Sequence, residues 1–161
     1  CILTCFDINF PELWQCADDL GAEIVFWPSA YGGGMPLNAF AKLYHYYIVP
    51  VGAGNIIDVT GKEMVCQNPR EQHFIATLDL DRVFIHDNYT QEKVQKMLMD
   101  YKGKVEIEQR YNMEAWTLIR SVDSTVSVRQ LCQKYQIETL RQYQHRSRLQ
   151  INRVRECGGV V

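Results

Sequence analysis

The chemistry this chain could carry is concentrated in eight residues near its start, Cys5-Phe6-Asp7-Ile8-Asn9-Phe10-Pro11-Glu12. The apolar pair Ile2-Leu3 leads into Cys5, and Pro11 opens a segment, residues 12–20, with the pattern of a helix. The thiol therefore stands where a strand is expected to hand over to a helix. Unpaired backbone N–H groups and partial positive charge at a helix start favour a thiolate and can hold the oxygen of a carbonyl under attack. The matching chemistry is nucleophilic acyl transfer, which needs a thiolate, a proton shuttle and donors for the oxyanion. A cysteine taken alone is more often a buried, inert residue at a strand end, so the surrounding pattern has to carry the case. Asp7 and Glu12 have the right types for an acid and a base, but a carboxylate beside a thiol opposes its ionisation. A structural role is the better expectation for both, with Asp7 bonding nearby backbone and Glu12 complementing the helix start.

The elements that must hold these residues read as alternating strand and helix. Leu13, Trp14, Cys16, Ala17 and Leu20 form a helical apolar stripe that stops at Gly21. Residues 24–27 are a short continuous apolar run ended by Pro28, as in a strand buried on both faces. Such a strand–helix–strand unit lays its two strands side by side and parallel. A second helix is expected over 37–47 and a third strand over 48–51. A hairpin follows, with arms 55–58 and 63–66 about a turn in which Gly61 can take a positive φ, and a further strand is expected over 74–79. This is an α/β pattern. The loop Trp27-Pro28-Ser29-Ala30-Tyr31 leaves the C-terminal end of a strand neighbouring Cys5, the edge at which open α/β sheets bind ligands, and makes Ser29 and Tyr31 candidates for lining a substrate.

Beyond Asp87 the composition changes. Helices are expected over 89–101, 128–135 and 138–149, with strand-like alternation near Val105 and Ile107. The last segment is lopsided in charge: Arg129, Lys134, Arg141, Arg146, Arg148, Arg153 and Arg155 are set against Glu138 and Glu156. We read residues 1–115 as one domain and 116–161 as a basic helical extension, with Val160-Val161 as a frayed tail.

The run Cys-Phe-Asp-x-x-Phe-Pro-Glu after an apolar strand resembles the nucleophile motif of the nitrilase superfamily, the carbon–nitrogen hydrolases. Residues 21–30, Gly-Ala-Glu-Ile-Val-Phe-Trp-Pro-Ser-Ala, resemble the next strand and loop of that family, and Val51-Gly52-Ala53-Gly54-Asn55 with Gly61 resembles the hairpin beyond, so that roughly residues 1–81 are covered. Asn9 stands where many members have Arg, which leaves the substrate subgroup open. The resemblance implies part of an α-β-β-α sandwich, with Cys5 as the nucleophile and the backbone N–H of Phe6 as an oxyanion donor. It further implies a small-molecule amide, nitrile or carbamoyl substrate, a thioester intermediate, no metal or organic cofactor, and a homo-oligomer in which the C-terminal segment wraps a partner subunit. The family's glutamate and lysine lie well before the cysteine, whereas only Cys1 to Thr4 precede Cys5 here. We therefore expect the chain to be the C-terminal part of a longer enzyme and to be inactive by itself.

A length of 161 residues with 47% hydrophobic and 22% charged residues is ordinary for a globular protein, and its longest apolar runs are far too short to cross a bilayer. Six irregularly spaced cysteines argue for reduced thiols. The cytoplasm is the expected compartment, although the sequon Asn88-Tyr89-Thr90 would accept a glycan in a secreted protein. Gly32-Gly33-Gly34 lacks the Lys-Ser/Thr of a phosphate loop and reads as a flexible connection. His45, His73, His86 and His145 lack paired metal-ligand spacing, so no zinc site is expected. The alternative function is a noncatalytic relative that binds protein or nucleic acid through residues 127–148, which have the cadence of a helix-turn-helix. Gln136 sits where such a turn usually has Gly, and nucleic acid is not the expected partner.

Overall fold

The computed structural model describes residues 1–52, 55–66 and 75–158, with the side chains of Val65 and Cys66 left out. The described chain is mixed α/β, with two small sheets and five α-helices. Its contacts divide it into two units, Cys1–Leu78 and Asp79–Val161.

In the first unit a short 3-10 helix, Cys5–Asn9, precedes α1 (Pro11–Asp19). Then come β1 (Ile24–Pro28), α2 (Met35–Tyr44), β2 (Tyr47–Val51), β3 (Asn55–Ile57) and β4 (Glu63–Cys66). The sheet runs β1-β2-β3-β4, with β1 and β2 parallel and the other pairs antiparallel. The hairpin agrees with the sequence reading, and the parallel pairing expected between the segment before Cys5 and residues 24–27 is present as the bridge Ile2↔Phe26. α2 stops earlier than the expected 47, because His45 turns left-handed at φ 56 and its N–H closes on the Ala41 carbonyl at 2.9 Å. Tyr46 and Tyr47 extended the apparent helical spacing but belong to the approach and start of β2. At Gly61, φ is 80 and a Cβ would lie 2.6 Å from the Asn38 carbonyl oxygen, so α2 and the hairpin can meet there only over a glycine.

One face of this sheet carries the core. Trp14, Val25, Trp27, Leu37, Ala41, Ile48 and Ile57 are buried together, and the rings of Trp14 and Phe40 stack with centroids 4.5 Å apart. The alternation of β1 sends Phe26 to the other face, where it is 44% exposed, and Ile2, bridged to it, is 68% exposed.

The second unit holds β5 (Val83–His86), α3 (Gln91–Asp100), β6 (Val105–Tyr111), β7 (Trp116–Ser121), α4 (Val128–Lys134) and α5 (Leu140–Glu156). Its sheet is antiparallel in the order β5-β7-β6. Val83, Ile85, Val94, Met97, Val105, Ile119, Val128, Leu131 and Cys132 make its core. The strand expected over 74–79 is not formed over its described part, residues 75–79; Phe74, at its start, lies outside the described residues. Ile75 is 97% exposed, and the Asp79 carboxylate instead accepts the N–H of Asp81 at 2.9 Å in a tight turn. The strand of this region is β5. Position 115/116 falls in the hairpin connection between β6 and β7, whose residues pair from Val105↔Ser121 to Tyr111↔Trp116 within one unit. Ala53, Gly54, His73, Val160 and Val161 also lie outside the described residues.

The connection between α4 and α5 answers the question raised by Gln136. Gln136 adopts φ 53, its N–H reaches the Gln133 carbonyl at 3.1 Å, and Ile137 N–H reaches the Cys132 carbonyl at 2.8 Å. This is a Schellman cap with a non-glycine residue in the left-handed position, held further by Lys93 Nζ donating to the Gln136 carbonyl at 2.8 Å. Relief of the left-handed penalty leads us to expect Gln136→Gly to stabilise the protein by about 0.5–1 kcal/mol, read as a rise in thermal midpoint. A fall in midpoint would mean that the side chain contributes more than its backbone strain removes. No helix among the described residues is long and apolar enough to cross a membrane.

Candidate active site

Residues 1–3 behave as a strand beside β1. Leu3 N–H donates to the Phe26 carbonyl at 3.0 Å, and Phe26 N–H donates to the Cys1 carbonyl at 2.9 Å. The chain then bends at Cys5, which is half-buried and takes φ 44, a left-handed conformation rarely adopted by a residue with a side chain. Where the sequence predicted a strand running straight into a helix, one turn of 3-10 helix intervenes and α1 starts only at Pro11. The field of α1 therefore does not act on the thiol from its own first turn. What Cys5 has nearby are the first N–H groups of the 3-10 turn. The Phe6 N–H has no acceptor among the described residues.

Asp7 takes the structural role expected of it. Its carboxylate accepts the Thr4 N–H at 2.7 Å, and its carbonyl accepts the Trp14 indole N–H at 3.0 Å, which ties the turn to the core. Glu12 lies in the first turn of α1. Asn9 is exposed and bonds back within the turn, with Nδ2 donating to the Phe6 carbonyl at 3.0 Å.

The loop after β1 folds back over Cys5. Tyr31 Oη donates to the Cys5 carbonyl at 3.2 Å, across 26 residues of chain. Ser29 is one step removed: its Oγ accepts the Tyr31 N–H at 3.2 Å, while its own N–H donates to the Val51 carbonyl at 3.3 Å. Both residues singled out in this loop are thus gathered at the Cys5 turn, Tyr31 directly and Ser29 through it.

Sequence reasoning passed over two contributors. Trp27 Nε1 also donates to the Cys5 carbonyl, at 3.2 Å. A signal for this exists in the sequence, because a tryptophan expected in a buried strand must find an acceptor for its indole N–H. Gly33 is the other. With φ 71, a Cβ there would lie 2.5 Å from Leu37 Cδ1 and 2.9 Å from Trp27 Cζ3. The glycine run therefore lets the loop press against the indole, and at Gly33 it is a packing requirement.

The surroundings of Cys5 are aromatic. Phe6, 67% exposed, and Phe10 meet edge to face with centroids 5.8 Å apart, and Trp27 and Tyr31 do the same at 5.3 Å. Cys132 makes a useful contrast. Burial, aided by the charge of Asp81, pushes its thiol up to about 11, so it is protonated and inert at neutral pH. Among the described residues no cluster of three His, Cys, Asp or Glu side chains could hold a metal ion. No known family model and no curated protein sequence matches this chain.

Proposed function

We propose that the chain is the cysteine-bearing part of a carbon–nitrogen hydrolase that cleaves a non-peptide amide, nitrile or carbamoyl bond through a thioester on Cys5. The observation that carries this reading is the left-handed Cys5 at the turn between a strand-like segment and a helix, followed by an unpaired Phe6 N–H. Backbone strain of this kind, of order 1–3 kcal/mol, persists where the surrounding structure over-determines it, and it clusters at reactive residues. The motif resemblance supplies the reaction class.

With an amide substrate, the Cys5 thiolate attacks the carbonyl carbon, forming the C–S bond while the carbonyl electron pair moves to oxygen. As that pair returns, the C–N bond breaks and the amine leaves with a proton. Water then attacks the thioester, freeing the acid and restoring the thiol. Phe6 N–H is the oxyanion donor supplied by this chain. The proton shuttle and a second oxyanion contact fall to the glutamate and lysine that the resemblance places ahead of Cys1. The exposed apolar face of the first sheet, with Phe26 and Ile2, suits the second sheet of an α-β-β-α sandwich. A cytoplasmic homo-oligomer that uses the largely exposed α5 as an arm belongs to the same proposal.

Mass spectrometry of the full-length protein during turnover tests the intermediate. The Cys5 peptide is expected to gain the acyl mass of the substrate amide; an acyl group on another residue, or none under single-turnover conditions, would sink the thioester.

A second reading uses the basic helices as a binding surface. It rests on the distal half of α5, where Leu149, Ile151, Arg153, Val154 and Arg155 are all exposed. Binding of duplex DNA with a steep salt slope would favour it, and no binding at low salt would remove its nucleic-acid form.

A further inference from the structure

We propose that Trp27 and Tyr31 are positioning residues for the nucleophile: their two hydrogen bonds to the Cys5 carbonyl fix the Cys5–Phe6 peptide so that its N–H meets the oxyanion. This inference rests on the reading of Cys5 as the attacking thiol.

A peptide group is planar, and in the trans form its C=O and N–H lie on opposite sides. No cis bond occurs among the described residues, so fixing the Cys5 oxygen fixes the direction of the Phe6 N–H. Beyond the 3-10 turn itself, two side-chain donors do the fixing, Trp27 Nε1 and Tyr31 Oη, each 3.2 Å from that oxygen. Their rings meet edge to face at 85°, so each restrains the other. The Trp27 ring is fully buried against the core, and the Tyr31 backbone is pinned by Ser29 Oγ. The oxygen is therefore held from a rigid strand and from the loop that leaves it.

The clamp answers a need that Cys5 itself creates. At φ 44 a non-glycine residue tends to relax toward the right-handed or extended regions, and either move would swing the Phe6 N–H away. Donors on a carbonyl also polarise the amide and strengthen its N–H as a donor. When the C–S bond forms and the carbonyl pair moves to oxygen, the N–H is already oriented and needs no reorganisation.

Tyr31→Phe removes one oxygen atom from a half-exposed ring and leaves its contact with Trp27, so the variant is expected to fold. In the full-length protein, two reactions of Cys5 separate the clamp from the thiol. Iodoacetamide alkylates the thiolate by displacing iodide, and no oxyanion develops. Butanal adds reversibly to the thiol as a thiohemiacetal whose oxygen occupies the oxyanion position, and it is read as protection of Cys5 from iodoacetamide by peptide mass mapping. The expectation is an alkylation rate within about twofold of wild type and protection weakened about tenfold, smaller than the effect of deleting an oxyanion donor outright. Trp27→Phe, checked for folding by its thermal midpoint, should show the same split. Equal protection in wild type and Tyr31→Phe would overturn the clamp and leave the nucleophile standing, as would a parallel loss of alkylation and protection. Absence of butanal protection in wild type would overturn the nucleophile reading and the clamp with it.

Discussion

Cys5→Ala in the full-length protein is expected to lower hydrolysis by at least about 10⁴-fold while leaving the fold intact, because the proposed thioester forms on the sulfur that the variant lacks. The measurement is turnover set beside the thermal midpoint of the same sample. Cys5 is half-buried and its thiol has no structural partner among the described residues, so stability should change by no more than about 1 kcal/mol. Cys5→Gly adds a discriminating result. Glycine in a helical turn normally costs about 0.5–1 kcal/mol relative to alanine, but at φ 44 it escapes the left-handed penalty. Cys5→Gly should therefore be at least as stable as Cys5→Ala and equally inactive. A glycine variant clearly less stable than the alanine one would show that the turn is not strained at Cys5. Retained turnover in either variant would end the assignment of the nucleophile.

Gly33→Ala is expected to destabilise the protein by about 2–4 kcal/mol, combining the left-handed penalty with overpacking of a filled core. The methyl group would enter the space of Leu37 Cδ1 at 2.5 Å and Trp27 Cζ3 at 2.9 Å. Leu37 is fully buried, and so is Trp27, so neither has free volume to retreat into. If the indole yields, its Nε1 leaves the Cys5 carbonyl, and turnover should fall beyond what the remaining folded fraction explains. Gly21→Ala is the control. It has a similar φ of 77 in the Schellman cap that ends α1 but no atom within 4 Å of its Cβ, so it should cost only about 1–2 kcal/mol. Equal effects at the two positions would mean that backbone strain alone, without contact against Trp27, explains Gly33.

Much of the first unit was legible because its signals are local. Pro11 at the first turn of α1, Gly21 after its end, the apolar run 24–27 and the turn at Gly61 each act through their own backbone preferences. Elements whose burial is set by distant partners were harder to read. β5 and β7 are short apolar runs buried by side chains of α3 and α4 far along the chain, and the Asp79 and Asp81 turn that precedes them ended the expected strand over 74–79. The cap at Gln136 was hidden for a related reason. Its cost is met by the buried Ile137, by the helix-end carbonyls and by Lys93, none of which makes glutamine look like a turn residue.

The sequence by itself determined the α/β class and the segments that flank Cys5, and it singled out Cys5 as the candidate nucleophile, since each follows from residue type and short-range spacing. Only the tertiary structure decided that Cys5 is left-handed, that a 3-10 turn separates it from α1, and that Trp27 and Tyr31 converge on its carbonyl from 22 and 26 residues away. The physical reason is that a hydrogen bond between side chain and backbone across such a distance depends on the register of β1 against residues 1–3. That register is set by packing over the whole sheet face and not by any one residue within it.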